Sequence, residues 1–258
     1  MSFKRLITAL LGLALATTAV VGCGDTDDGA TSGGTKTVTV FAAASLTETF
    51  TTLGKTFEQS HPGVKVRFNF GGSSALAQQI TQGAPVDVFA SASPATMKTV
   101  TDANLADGRP QTFVRNRLQI ATPAGNPGKV TALKDLADPD LKVVLCAEQV
   151  PCGAAAKKAL AAADLTVKPA SLEQDVKSAL NKVTLGEADA ALVYRTDVKA
   201  AGAKVVGIDF PESAQAINDY PIVTLSKAPQ PDLAKQFLQL VLSPQGKGVL
   251  TAAGFDAP

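Results

Sequence analysis

The chain has a single histidine among its 258 residues, His61, set between the polar Gln59 and Ser60 and the turn-forming Pro62 and Gly63. That inventory speaks against a histidine-based catalytic triad and against a multi-histidine metal site, both of which need imidazoles this chain does not have. Residues 70–76 (FGGSSAL) do not form a GxSxG elbow, no GxxxxGK[ST] phosphate loop occurs, and no carboxylates cluster at metal-ligand spacing. Nucleophilic catalysis is left without a base. An excess of charge of either sign is missing too, since 24 Lys and Arg stand against 23 Asp and Glu. Such a balance gives no support for nucleic acid or for a polybasic membrane patch as partner.

The apolar run at the N-terminus is also too short to span a membrane. Residues 6–21 are 16 uncharged positions following Lys4 and Arg5, whereas a span needs about 20. This is the build of a secretory signal, and Gly22 ahead of Cys23 matches a lipoprotein cleavage site. The expected organisation therefore opens with a signal peptide at 1–22 and a lipidated Cys23, the alternative being an ordinary signal in which Cys23 is incidental. Loss of Lys4 and Arg5 leaves 22 basic against 23 acidic residues, so a membrane tether comes from lipid and not from charge. Residues 23–36, polar and rich in glycine, read as a flexible linker. Cysteine is scarce: with Cys23 assigned to lipid, only Cys146 and Cys152 remain, six positions apart. In an exported protein that pair most simply reads as a local disulfide, ahead of metal binding by two lone thiols.

Beyond Thr37 strand-like and helix-like segments alternate, the signature of α/β layering around largely parallel sheets. Residues 37–43 predict a strand leading into Ser45, after which Leu46, Phe50, Leu53 and Phe57 recur at helical spacing. Ser45 is the expected N-cap, with Glu48 completing a capping box. Residues 64–70 repeat the plan, with Gly71 and Gly72 as turn and Ser73 or Ser74 opening a helix. A short strand at 86–90 and a helix from Ser93–Pro94 follow, then a strand at 117–122 that leaves the first unit. A second lobe is expected from a strand at 141–146, helices at 153–163 and 175–185, and strands at 190–194 and 205–210. A strand at 221–225 leads back, and helices at 231–242 and 244–253 close the chain.

Helices that begin just after parallel strands turn free N–H groups and the positive end of the helix dipole toward the carboxyl edge of the sheet, which suits an anion. Ser45 and Ser73 stand at two such starts. Each hydroxyl can donate one hydrogen bond, although either serine taken alone could merely cap its helix.

Seven segments, VTVFAAASL (38–46), FGGSSALAQQI (70–80), GAPVDVFASAS (83–93), QVPCGAAAKKAL (149–160), LEQDVKSAL (172–180), ALVYRTD (191–197) and YPIVTL (220–225), together resemble the molybdate-binding proteins of bacterial ABC importers. The resemblance implies an α/β, two-lobed periplasmic-binding-protein clamshell of type II, each lobe a mostly parallel sheet flanked by helices. Lobe 1 is then 37–116 plus 220–258, and lobe 2 is 117–219. In that family the dianion is held by two serine hydroxyls, two backbone amides and a tyrosine hydroxyl. Carried onto this chain, these are Ser45, Ser73 with Ser74 as fallback, the N–H groups of Cys152 and Val176, and Tyr194, bonding to the oxyanion and not to the metal itself. Two departures are the Cys at 152, where the family has small Ala, and Ser93 in place of Asp, which as a good cap reads as structural.

The implied function is capture of molybdate, and of tungstate, by a monomeric lipid-anchored protein on the extracytoplasmic face of the cell membrane, for delivery to the permease of an ABC importer. No enzyme activity, cofactor or nucleic acid is expected. The expected wall carries no Arg, Lys or carboxylate. A donor-only pocket strands the proton that phosphate keeps near neutral pH, at a cost of ~1–3 kcal/mol. Competing readings are the same clamshell tuned to sulfate, iron or an organic ligand, a secreted hydrolase using Ser73 or Ser45, and a pure scaffold lipoprotein.

Overall fold

The structure, a computed structural model, describes residues 35–258. The expected signal peptide, the lipid-bearing Cys23 and the linker as far as residue 34 lie outside the described residues.

Two five-stranded sheets organise the chain. The first combines β1 (Lys36–Ala43), β2 (Val64–Gly71), β3 (Val88–Ala90), β4 (Ala106–Asn116) and the late β10 (Asn218–Leu225) in the order β2-β1-β3-β10-β4. The second combines β5 (Leu118–Pro123), β6 (Val143–Cys146), β7 (Ser171–Glu173), β8 (Ala190–Tyr194) and β9 (Val205–Ile208) in the order β7-β6-β8-β5-β9. In each sheet one strand runs against its neighbours, β10 in the first and β5 in the second. Each of these is the strand that has just arrived from the other sheet. The chain crosses outward between Asn116 and Leu118 and returns into β10 at Asn218.

Burial follows the period-two alternation of the strands. Val38, Val40 and Ala42 of β1 face Leu46, which precedes α1 (Thr47–Ser60), and Phe50 and Phe57 of α1, together with Phe237 and Val241 of α7 (Pro231–Leu242) and Leu250 of α8 (Pro244–Ala252). Phe41, pointing the other way, meets Leu76 and Ile80 of α2 (Ser73–Thr81) and Met97 and Val100 of α3 (Pro94–Asp102). In the second sheet Val143, Leu145, Ile120 and Leu192 pack with α4 (Pro151–Ala162) and with Val176, Ala179, Leu180 and Val183 of α5 (Val176–Thr184). Ala44, which follows β1 of the first sheet, joins this second core, so the two lobes are in contact.

Three elements escaped the sequence reading. The 11-residue β4 contains Gly108 and Pro110, which interrupt a strand pattern. It tolerates them because it lies at the sheet edge and its register against β10 shifts at Tyr220/Pro221 and Ile222/Thr224. The return strand accordingly starts at Asn218 and not at Pro221, which places Tyr220 opposite Val114. The short edge strand β7 and the helix α6 (Arg195–Ala201) were the other two.

Candidate functional site

The expected capping box at Ser45 does not form. Residues Ala44–Leu46 make a 3₁₀ turn at the end of β1, α1 begins only at Thr47, and neither start has a side-chain cap. Thr47 Oγ1 donates to the Ala44 carbonyl instead, which leaves the Ser45 hydroxyl uncommitted to its own helix. Ser73 is the first residue of α2, after an N-cap at Gly72 that offers no side chain. Cys152 is the second residue of α4, behind Val150 and Pro151, and Val176 is the first of α5. Tyr194 ends β8.

These five residues, all buried, line one cavity with Ala43, Ala92 and Asp175 among others on its wall. Its volume is about 20 Å³, far below the ~300–1,000 Å³ of pockets that take drug-sized ligands. The occupant it admits is a small, compact species. Ser74, the fallback donor, lies elsewhere: its hydroxyl donates to the Gln149 carbonyl at 2.7 Å, tying one lobe to the other.

The polar groups on the wall point to what that species is. Ser73 Oγ accepts the Ala92 N–H at 3.0 Å, so the serine's own proton is available for another acceptor. Ser45 Oγ lies 2.9 Å from the Tyr220 hydroxyl. The amides of Cys152 and Val176 belong to helix first turns, where no intrahelical acceptor exists. Tyr194, 1 % exposed, has a buried hydroxyl with no hydrogen-bond partner among the described residues. Burial above all, with Tyr220 and Asp197 nearby, pushes its phenol well above the usual range, so it remains a proton donor. Three helix N-termini, of α2, α4 and α5, converge here with their positive ends.

One expectation about the wall is corrected. No Lys or Arg lines the cavity, but Asp175 does. Its carboxylate is engaged by its own helix, with Oδ1 accepting the Ser178 N–H at 3.0 Å and Oδ2 the Ser178 hydroxyl at 2.8 Å. It therefore serves as the N-cap of α5.

Around the cavity the lobes are fastened by charge. Lys177 of α5 reaches Glu48 of α1 at 2.8 Å and stands 3.2 Å from Asp197 Oδ1. The second contact is a charge pair without hydrogen-bond alignment, for that oxygen has no bonded partner. Asp197 Oδ2 accepts the Tyr194 N–H at 3.2 Å. Burial raises Asp197 to about 6 against the pull of Lys177. Burial also works to lower Lys177, but Asp197 and Glu48 outweigh it and hold the ammonium above its ordinary value. Cys146 and Cys152 form a disulfide, with Cα atoms 5.7 Å apart, across the turn that presents the Cys152 amide. Ser93 caps α3 by accepting the Thr96 N–H, a structural role.

Tyr220, Asn116, Lys177 and Asp197 are the site's neighbours that sequence reasoning missed. Tyr220 stood in the YPIVTL segment, but nothing local tells that it reaches Ser45, 175 positions away.

The chain matches, over residues 38–256, the family described as bacterial extracellular solute-binding protein. It is 44% identical over 225 residues to the molybdate-binding protein ModA of Mycobacterium tuberculosis, covering 87% of this chain and 86% of that protein. It is 33% identical over 229 residues to the molybdate-binding protein ModA of Escherichia coli, covering 84% and 88%. In fold it is similar to the periplasmic molybdate-binding protein of Azotobacter vinelandii, with a TM-score of 0.75 at 24% identity, covering 86% of this chain and 99% of that one.

Proposed function

The chain belongs to the bacterial extracellular solute-binding proteins, in their molybdate-binding branch, and from that premise we propose that it captures molybdate between its two lobes and delivers it to an ABC importer. The observation that carries this reading is the Tyr194 hydroxyl, buried and unpartnered on a wall whose other hydroxyls each have a neighbour, Tyr220 for Ser45 and the Ala92 N–H for Ser73. Stranding such a donor costs ~1–3 kcal/mol, which an acceptor entering the cavity recovers. A bare tetrahedral dianion is all acceptor. Ser45, Ser73 and Tyr194 give it hydroxyl donors, and Cys152 and Val176 give it amide donors at helix starts. Charge-assisted hydrogen bonds then replace its water.

The same donors select by protonation state. Hydrogen phosphate brings an O–H that needs an acceptor, and the one carboxylate on the wall is already engaged by Ser178. Tungstate, equal in charge and shape, binds about as well as molybdate, and the smaller sulfate makes longer bonds. A hydrolase reading finds no base, since Ser45 meets a phenol and Ser73 an amide N–H.

The further parts of this proposal are a signal peptide at 1–22, lipid on Cys23, a linker to residue 36, and a monomer held at the extracytoplasmic face. Lobes of 37–116 plus 220–258 and of 117–219 move about the crossings near Arg117 and Asn218. Closure on the anion forms the surface a permease reads.

Thermal unfolding tests the reading directly, because a ligand bound only by the folded protein stabilises by RT ln(1 + [L]/Kd), about 2.7 kcal/mol at a hundredfold excess over Kd. Molybdate raises the melting temperature, and hydrogen phosphate at equal concentration does not. No shift with saturating molybdate overturns the proposal.

A further inference from the structure

The site's selectivity has a source outside the cavity, in a buried chain of hydrogen bonds that ends on Ser45. Asn116, at the end of β4, is fully buried and accepts the Arg117 N–H on Oδ1 at 3.0 Å. That bond fixes which way the amide faces. Its Nδ2 then points its two hydrogens at the Thr196 hydroxyl, 2.9 Å away, and at the Tyr220 hydroxyl, 3.5 Å away and at the limit of a hydrogen bond. Tyr220, on the return strand β10, is fully buried as well, and its oxygen lies 2.9 Å from Ser45 Oγ.

The direction of the Tyr220–Ser45 bond follows from accounting for protons. An amide NH₂ can only donate, so the Tyr220 oxygen receives from Asn116. If Ser45 also donated to it, the Tyr220 proton would need an acceptor elsewhere, and Ser45 Oγ is the acceptor the structure gives it. A stranded buried donor is the costlier arrangement. Tyr220 therefore donates to Ser45, and the Ser45 proton is left to turn into the cavity. Burial above all keeps the Tyr220 phenol well above its usual range, so the proton stays in place.

The geometry points to Tyr220 as a specificity-determining residue that never touches the anion: by donating to Ser45, it turns that serine's proton into the cavity and leaves Ser45 a poorer acceptor for a protonated anion. The inference rests on the proposed binding of an oxyanion at this cavity. Ala92 does the same for Ser73 with a backbone N–H, which no side-chain substitution removes. Tyr220 is the half of the arrangement that can be altered.

Without the Tyr220 hydroxyl, Ser45 can either donate to a bare dianion or accept from a P–OH. Calorimetric titration of the folded protein with molybdate and with inorganic phosphate at pH 8 tests this on wild type, Tyr220→Phe, Ser45→Ala and the double variant. In Tyr220→Phe the ratio of molybdate to phosphate affinity falls by about tenfold, the equivalent of one misplaced hydrogen bond. In the Ser45→Ala background the same substitution leaves that ratio within about twofold, because the group it acts through is gone. Asn116→Ala keeps both hydroxyls and removes the donor that orients them, together with its bonds to Thr196 and Arg117. It lowers the ratio in the same direction, and it decides the matter should Tyr220→Phe fail to fold.

An unchanged ratio in Tyr220→Phe, or an equal fall with and without Ser45, overturns the inference. Wild type that binds no molybdate, or binds it equally well as Ser45→Ala, overturns the reading of the site itself. Molybdate binding that depends on Ser45, with a ratio indifferent to Tyr220, overturns the relay alone.

Discussion

Gly72 of one lobe lies so close to Gln174 of the other that a β-carbon on it would stand 2.2 Å from the Gln174 carbonyl oxygen. That contact is to backbone, which has no rotamer to swing away, so any larger residue at position 72 holds the lobes apart. Gly72→Ala is expected to weaken molybdate binding about tenfold or more while leaving the ligand-free melting temperature nearly unchanged, since each lobe keeps its own core. Titration and thermal unfolding of the same sample check both halves, and wild-type affinity in the variant refutes the closure argument.

Single removal of the proposed donors gives a graded loss. Ser45→Ala, Ser73→Ala and Tyr194→Phe each cost ~1–3 kcal/mol of molybdate binding, at the upper end where the bond is charge-assisted. Ser74→Ala loses only its exposed tie to Gln149 and costs ~0.5–1.5 kcal/mol, through the lobe contact alone. Calorimetry ranks the four, and Ser74→Ala as the most damaging variant contradicts the site.

Reduction of the Cys146–Cys152 bond frees the turn that carries the Cys152 amide. Closing so short a loop contributes about 2 kcal/mol by the chain-entropy account. Dithiothreitol is expected to lower both the melting temperature and the molybdate affinity, whereas an equal affinity in the reduced protein detaches the bridge from the site.

Asp197 makes stability depend on pH in the direction opposite to most carboxylates. It is fully buried, and burial lifts it from 3.8 to about 6 in the folded chain. Between those values the folded state holds a proton that the unfolded state has lost, so stability falls as pH rises from about 4 to about 6 and is level above. The fall is about 3 kcal/mol at ~1.4 kcal/mol per pH unit. Asp197→Asn removes it, and melting temperatures measured across this range should show the variant gaining on wild type as pH rises. Parallel curves refute the shift.

How far the sequence carried is clearest at particular residues. Ser93–Pro94 announced the start of α3, and the apolar spacing of Leu46, Phe50, Leu53 and Phe57 announced the face of α1, because caps and helical periods are written within a few neighbouring positions. Ser45 itself was misread as a cap, for the same spacing cannot tell an α-helix from a 3₁₀ turn placed ahead of it. Edge strand β4 was hidden by Gly108 and Pro110, whose tolerance depends on a neighbour far along the chain.

By itself, then, the amino-acid order determined the alternation of strands and helices, the pairing of Cys146 with Cys152, and the serine hydroxyls at two of the five element ends that the resemblance named. These are local chemistry, fixed by side-chain type and short spacing. Only the tertiary structure decided that the five ends meet in one small cavity. It also decided that Asp175 stands on the wall with its charge already engaged, that Gly72 must be bare, and that Tyr220 reaches across to Ser45. The physical reason is that hydrogen-bond direction and steric exclusion act between groups brought together by packing, over separations of a hundred residues or more, and no local pattern in the chain encodes them.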